Sequence, residues 1–268
     1  MDGILTTVII VAVIGIIASV MLVVAAKVMY VYEDERIGLV AACLPGANCG
    51  GCGYAGCADY AKAIVEADAE LNLCIPGGAD AAAGAAKVMG KTAGATAAVR
   101  AVVACQGFDC NTNKKYEYQG VTSCAAASKM FAGPSACAFG CVGFGDCVNV
   151  CKFDALQIVN GVALVNMEKC TGCGACAKAC PKSIIHMIPD DVNPVVLCQN
   201  TDKGAQTRKV CSTGCIGCMK CTKVCPTNAI SVSNNLATID QDLCIACMQC
   251  ADECPVNAIQ LPNLRLYK

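Results

Sequence analysis

The chain has 268 residues and a formal net charge of −1, a length that fits one large domain or two or three small ones. A nearly neutral chain lacks the basic surface that nucleic-acid binding requires, so we expect no nucleic-acid partner. Cysteine is the outlier, with 26 residues against 5 Phe, 7 Tyr and no Trp. We therefore expect no large aromatic core. Disulfides, zinc sites and iron–sulfur clusters are the three chemistries that use so much cysteine.

The N-terminal stretch predicts a membrane anchor. No charged residue occurs between Ile4 and Ala26, and this length spans a bilayer as a helix. The alternative is a signal peptide, which has a basic start and a shorter apolar stretch, whereas Asp2 opens this chain. Lys27 and Arg36 follow the span, so the positive-inside rule predicts a single-pass protein of the cell membrane with its bulk in the cytoplasm. That reducing compartment disfavours disulfides.

The C-terminal half repeats one cysteine motif three times. The runs CTGCGACAKACPKSI, CIGCMKCTKVCPTNAI and CIACMQCADECPVNAI begin at Cys170, Cys215 and Cys244, and each reads CxxCxxCxxxCP. Zinc sites favour two CxxC pairs separated by a dozen or more residues. Here three cysteines lie in one tight loop, which suits three corners of an iron–sulfur cubane with a fourth ligand from elsewhere. We therefore expect [4Fe-4S] clusters rather than zinc.

The last two runs predict one domain with two clusters. In two-cluster ferredoxins, the fourth cysteine of each run ligates the other cluster. The predicted ligand sets are Cys215, Cys218, Cys221 with Cys254, and Cys244, Cys247, Cys250 with Cys225. Two β-type segments around Asn234-Asn235 lie between the runs and predict a hairpin.

The stretch CAFGCVGFGDCVNVC, from Cys137 to Cys151, stands where the first run of a second pair is expected. The same number of residues separates Cys151 from Cys170 as separates the last two runs, and Asn160-Gly161 predicts a hairpin turn between them. The predicted ligand sets are Cys137, Cys141, Cys147 with Cys180, and Cys170, Cys173, Cys176 with Cys151. The additional residues in this stretch should widen the loop around one cluster.

A further cysteine group precedes the repeats. Its four cysteines are Cys49, Cys52, Cys57 and Cys74. The glycines of CGGCGYAGC can bring backbone N–H groups close to the sulfurs, and the apolar periodicity predicts a helix from Ala58 to Glu70. We expect another [4Fe-4S] cluster here, with a structural zinc site as the alternative.

An apolar anchor followed by LPGANCGGCGYAGC, CIPGG and tandem ferredoxin runs resembles the family of Rnf complex B subunits. Rnf complexes are membrane-bound ferredoxin:NAD oxidoreductases that pump sodium ions or protons. The resemblance implies a translocase component without a complete active site, which accepts electrons from reduced ferredoxin. It would pass them to Rnf-type subunits that carry flavin and the NAD site. It also implies cluster ligation by the four N-terminal cysteines and the ferredoxin-type cysteines, and this chain resembles the longer members, which have two ferredoxin pairs.

These sets use five [4Fe-4S] clusters and leave six cysteines. We expect Cys43 to be structural. A sixth cluster is a further hypothesis, with four ligands from the remaining five cysteines, which are Cys105, Cys110, Cys124, Cys198 and Cys211.

The predicted fold class is α+β, with one transmembrane helix, a small Fe-S domain and two tandem ferredoxin-like units. The expected divisions are 1–36 for the anchor and neck, 37–78 for the N-terminal 4Fe-4S domain, 79–136 for an Ala/Gly-rich connector with extra cysteines, 137–190 for ferredoxin-like unit 1, and 191–268 for a linker and ferredoxin-like unit 2.

Alternative functions remain open at this stage. One is the iron–sulfur subunit of another membrane redox complex, hydrogenase or formate-linked, which would not explain CGGCGYAGC. The others are a zinc-stabilised, membrane-tethered interaction module and a disulfide-rich surface protein. We find no nucleophile–base pair and no NAD or flavin motif, and we expect a structural or surface role for His186. Lysines that could meet an acidic ferredoxin, or simply face solvent, are Lys169, Lys178, Lys182, Lys203 and Lys209.

Overall fold

The computed structural model describes residues 2–28, 34–94, 98–190 and 193–262. The first helix, α1 (Asp2–Val28), is apolar on all sides, and none of the other residues in these ranges packs on it. Its segment Leu5–Val28 has a mean hydropathy of 3.2. By length and composition, this helix can cross a membrane.

Three helices form the N-terminal domain: α2 (Glu35–Cys43), α3 (Cys57–Glu66) and α4 (Gly78–Met89). Helices α3 and α4 pack on α2, and alanines form much of the buried face of α4. The predicted helix from Ala58 to Glu70 is too long at its C-terminus. The chain leaves the helix because the amides of Ala67 and Ala69 both donate to the carbonyl of Ala63, and Asp68 adopts a left-handed conformation with φ 55°.

The remaining elements are short. The strands are β1 (Val99–Val103), β2 (Leu156–Val159), β3 (Val162–Val165), β4 (Ile185–Pro189), β5 (Val195–Val196), β6 (Ile230–Ser233), β7 (Leu236–Ile239) and β8 (Ile259–Gln260). The helices are α5 (Cys124–Ser128), α6 (Asp146–Asn149), α7 (Ala175–Ala179), α8 (Gly204–Val210), α9 (Lys220–Val224) and α10 (Gln249–Asp252).

The strands build two units of the same design. Each unit has a central hairpin, β2–β3 or β6–β7, and an outer antiparallel pair, β1–β4 or β5–β8. Both hairpins turn at the predicted residues, Asn160-Gly161 and Asn234-Asn235, and all four have positive φ, as a type I′ turn requires. The two predicted hairpins are therefore confirmed.

Ferredoxin-like unit 1 includes a strand that lies outside the expected range of 137–190. Strand β1 pairs with β4 from Val99 opposite Pro189 to Val103 opposite Ile185. The segment between β1 and α6 then carries Cys105, Cys110 and Cys124 around the unit. The core of each unit is small and contains cysteines beside its aliphatic side chains, so the thiols are part of what holds the fold together.

Candidate iron–sulfur cluster sites

The 26 cysteines all lie in the described ranges, and none of them forms a disulfide bond. Within the described ranges, no three His, Cys, Asp or Glu side chains are close enough to hold a single metal ion. Zinc needs its sulfur ligands at about 2.3 Å from one centre. A cubane holds its cysteines farther apart, because irons and sulfides lie between them. We therefore define each site as a set of thiols that line one cavity or that shift one another's pKa.

The N-terminal domain brings its four predicted cysteines together. Burial is the largest influence on Cys74 and raises the pKa of its thiol. The neighbouring thiols that raise this pKa further are Cys57, Cys52 and Cys49. The hydroxyl of Tyr60 braces the surrounding loop, because it donates to the carbonyl of Glu70 and accepts from the amide of Leu73.

The structure also brings together the cysteines of each C-terminal set. One cavity is lined by Cys215, Cys218, Cys221 and Cys254. A second cavity is lined by Cys244, Cys247, Cys250 and Cys225. In both groups, three cysteines from one run face the fourth cysteine of the other run.

Unit 1 contains one group with the predicted membership. Burial raises the pKa of Cys176 to about 11. The thiols that contribute to this pKa are Cys170, Cys173 and Cys151. The amide of Ala101 on β1 points at the sulfur of Cys170, with an N–Sγ distance of 3.5 Å, so the strand missed in the sequence supports this site.

The other group of unit 1 differs from the predicted set in one member. The cavity that contains Cys141, Cys147 and Cys180 is completed by Cys124, whereas Cys137 lines a different cavity. Burial raises the pKa of Cys147 to about 12, and thiols that add to this include Cys141, Cys124, Cys180 and Cys176. In the structure, Cys137 therefore shares a cavity with Cys141 but not with Cys147 or Cys180.

The carboxylate of Asp146 explains why Cys124 reaches this cavity. It accepts hydrogen bonds from the amides of Cys124 and Ala125, both at 3.0 Å, and from the hydroxyl of Ser123 at 2.9 Å. Burial would raise the pKa of Asp146, but the two amides and the hydroxyl outweigh it and hold the pKa below its usual value. The start of α5 is thereby fixed to the start of α6, which carries Cys147.

Another cavity is lined by Cys105, Cys137, Cys198 and Cys211, and Cys141 lies at its border with the unit 1 cavity. These four cysteines come from segments far apart in the chain, and three of them belonged to no predicted ferredoxin set. Cys110 is exposed and lines none of these cavities. Cys43 donates to the carbonyl of Leu39 and lies against Gly84, between α2 and α4.

Backbone N–H groups point at sulfur throughout both units. Examples are Ala155 to Cys151 at 3.4 Å and Ala258 to Cys254 at 3.3 Å. For Cys225, burial raises the pKa, but hydrogen bonds from Thr227, Ala229 and Ile230 outweigh this and lower it. Such donors stabilise the thiolate, which is the form that binds metal. The donor set therefore fits [4Fe-4S] ligation.

Two other residues singled out in the sequence have defined partners. The ammonium group of Lys182 donates to the carbonyls of Ala132 and Ala138, both at 2.7 Å, and burial lowers its pKa. It is therefore occupied within the protein rather than available to an acidic partner. His186 lies on β4 with its Nε2 atom 2.8 Å from the side-chain nitrogen of Gln199.

Comparison with known proteins covers nearly the whole chain. It is 47% identical over 243 residues to the B subunit of the "Na(+)-translocating ferredoxin:NAD(+) oxidoreductase complex" of Acetobacterium woodii, covering 90% of this chain and 73% of the relative. The chain belongs to the family of Rnf complex B subunits. Two further relatives in this family are the B subunits of the "Ion-translocating oxidoreductase complex" of Methanosarcina acetivorans and of the "Proton-translocating ferredoxin:NAD(+) oxidoreductase complex" of Clostridium ljungdahlii. The Methanosarcina protein is 41% identical over 85% of this chain and 87% of its own length. The Clostridium protein is 39% identical over 91% of this chain and 86% of its own length.

Family models of iron–sulfur domains match four segments of this Rnf protein. A model described as "Putative Fe-S cluster" matches residues 44–76, and a "4Fe-4S dicluster domain" matches 214–259. Models of a "4Fe-4S binding domain" match 163–186 and 141–155. With the single apolar helix and the mixed helices and strands, these matches confirm the predicted fold class. The last match begins after Cys137, which agrees with the position of that residue outside the unit 1 cavity.

Proposed function

We propose that this chain is the membrane-anchored electron-transfer subunit of an ion-translocating ferredoxin:NAD oxidoreductase complex. It accepts electrons from reduced ferredoxin and passes them to other subunits, which carry the flavins and the NAD site. The single helix holds the chain in the cell membrane, with its bulk on the cytoplasmic side. In this proposal the complete reaction takes place in the complex, and this chain supplies the electron-transfer part of it.

The observation that supports this proposal most strongly is that the cysteine groups adjoin one another. Within unit 1, the charge of the Cys176 thiolate raises the pKa of Cys147 in the neighbouring group. In unit 2, Cys221 raises the pKa of Cys250 in the same way. Bound [4Fe-4S] clusters would supply one-electron carriers at these places. Adjacent carriers divide a long electron transfer into short steps.

The N-terminal domain also adjoins unit 1. Gly51 lies close to the backbone of Cys173, and a Cβ atom on Gly51 would be 2.6 Å from the carbonyl oxygen of Cys173. The thiol of Cys49 also raises the pKa of Cys173. These contacts support an order of carriers that runs from the domain next to the membrane helix into unit 1. Burial and N–H donors at sulfur tune the potentials.

The assignment of ligands is part of the proposal. Five sites each use four thiols, and their members are Cys49, Cys52, Cys57, Cys74; Cys151, Cys170, Cys173, Cys176; Cys124, Cys141, Cys147, Cys180; Cys215, Cys218, Cys221, Cys254; and Cys225, Cys244, Cys247, Cys250.

The test uses the full chain, purified anaerobically in detergent. We expect broad visible absorption that is bleached by reduced ferredoxin as well as by dithionite. Bleaching by dithionite alone would contradict ferredoxin as the donor, and zinc without iron would contradict electron transfer altogether. Protease treatment of inside-out membrane vesicles should remove the bulk of the chain, whereas right-side-out vesicles should protect it.

A further inference from the structure

One cavity of cysteines lies between the two ferredoxin-like units. Its cysteine lining consists of Cys105 after β1, Cys137 before α6, Cys198 after β5 and Cys211 after α8, together with Cys141. Cys141 turns its amide to the sulfur of Cys105, whereas the thiols that raise its own pKa are Cys124 and Cys180 of the unit 1 group. The enclosed volume of the cavity is about 20 Å³, the same as that of two neighbouring four-cysteine cavities. The cavity is thus as large as those that the ferredoxin pattern assigns to clusters.

Buried free thiols are the simplest alternative, since cysteine packs as a small hydrophobic residue. All four side chains are buried, with 6 to 8% of their surface exposed. A thiol that serves only for packing would fill the space between its neighbours. Here four thiols outside the other groups line a common space with Cys141. The four come from distant segments of the chain, which is the arrangement that a shared ligand requires.

Polar groups aimed at these sulfurs provide a second, independent observation. The amides of Gly107 and Cys141 both lie 3.3 Å from the sulfur of Cys105. The side-chain amide of Asn200 lies 3.5 Å from the sulfur of Cys137, and its backbone amide lies 3.4 Å from that of Cys198. Asn200 is only 1% exposed. A buried amide is costly unless it has a partner, and a charged thiolate is a much better acceptor than a neutral thiol.

We propose that Cys105, Cys137, Cys198 and Cys211 bind a sixth [4Fe-4S] cluster that bridges the two ferredoxin-like units. The proposal rests on the iron–sulfur function proposed above. It departs from the sequence hypothesis in two ways, because Cys137 belongs to this site and Cys124 takes its place in unit 1.

The bridging site lies where an electron carrier would connect the two ferredoxin-like units. On one side, the amide of Cys141, a member of the neighbouring unit 1 group, donates to Cys105. On the other side, the backbone of Cys215, a member of the neighbouring unit 2 group, donates to Cys198. The site therefore contacts one group in each unit, and a carrier here joins two pairs of carriers into one continuous series.

Iron counting on the anaerobic full chain tests the proposal. We expect about 24 iron atoms per chain, four for each of six clusters, against about 20 without the bridging cluster. Cys198→Ala and Cys211→Ala should each lose about four irons. The matched controls Cys43→Ala and Cys110→Ala, which change cysteines outside every group, should lose none. A wild-type content near 20, or Cys198→Ala and Cys211→Ala proteins with the wild-type content, would overturn the proposal.

Double variants separate the two assignments of Cys137. If Cys137 and Cys198 share one cluster, Cys137→Ala/Cys198→Ala should lose only about four irons, whereas Cys137→Ala/Cys124→Ala should lose about eight. If Cys137 belonged with Cys141 and Cys198 with a separate cluster, Cys137→Ala/Cys198→Ala would lose about eight irons instead. Circular dichroism of each variant checks that the chain remains folded. A wild-type chain with about 20 irons that ferredoxin still reduces would refute the bridging cluster and leave the proposed function intact.

Discussion

At the scale of single residues, the positions of hydrogen-bond donors and acceptors decide which cysteines meet. Cys124 and Cys137 are both buried, and the motif spacing predicted Cys137 rather than Cys124 for the unit 1 group. Asp146 binds the amide of Cys124, whereas Asn200 binds the sulfur of Cys137. These two polar side chains therefore hold two similar cysteines in different cavities.

The role of Asp146 leads to a prediction. Asp146→Ala removes three hydrogen bonds, each worth about 1 kcal/mol or somewhat more because the acceptor is charged. We expect the start of α5 to detach from α6. The cluster that uses Cys124 should then be the first one lost in air or with a chelator, which removes about four irons. Time-resolved iron release measures this. Asp80→Ala, an exposed carboxylate in the first turn of α4, is the control, and equal release rates in the two variants would contradict the role of Asp146.

At the scale of elements, each ferredoxin-like unit is a hairpin pressed against cysteine loops. A Cβ atom on Gly217 would lie 2.8 Å from the carbonyl oxygen of Asn235 in one hairpin turn, and one on Gly143 would lie 2.6 Å from that of Gly161 in the other. The stretch from Cys137 to Cys151 therefore does more than widen a loop. Its glycine occupies the same position against the turn as the glycine of the regular run.

Gly217→Ala tests this packing. Alanine at φ 62° costs about 1–2 kcal/mol from the left-handed conformation, and the clash with the turn adds about 1–3 kcal/mol. Gly174→Ala is a matched control, since Gly174 has φ 75° with open space around it. We expect faster iron release and a lower thermal midpoint for Gly217→Ala than for Gly174→Ala. Similar losses in both variants would mean that only the backbone conformation matters.

The contact of Gly51 with Cys173 supports another prediction. Gly51→Ala should push the N-terminal domain away from unit 1, because the new methyl group would overlap a backbone carbonyl. We expect weaker magnetic coupling between the reduced clusters of these domains in electron paramagnetic resonance, at unchanged iron content. Gly38→Ala, in open space on α2, should leave the coupling as in the wild type.

At the scale of the whole molecule, the spacing of cysteines within each motif predicted most of the thiol groups. Contacts between distant segments of the chain determine the others. Four of the thiol groups have the members that the motifs predict, since three members of each lie in one loop or domain. The bridging group could not be found in this way, because its cysteines meet only when β1 pairs with β4 and β5 pairs with β8. Strand β1 was missed for a related reason, as it follows an Ala-rich stretch without alternation.

Removing the metal should affect the two units together. Their buried cores consist of a few aliphatic side chains and the cysteines themselves, so ligand binding supplies much of the folding free energy. We expect anaerobic chelation of iron to unfold residues 137–262, measured as the loss of far-ultraviolet circular dichroism beyond the helical signal of α1. Native-like circular dichroism of the iron-free chain would contradict this.

The order of the thiol groups along the chain also has a consequence for biosynthesis. A chain that grows from its N-terminus completes the N-terminal group with Cys74, the two groups of unit 1 with Cys176 and Cys180, and the bridging group with Cys211. The groups of unit 2 close last, within the final cysteine run. If clusters are inserted while the chain is made, their order therefore runs from the N-terminal group through unit 1 and the bridging group to unit 2.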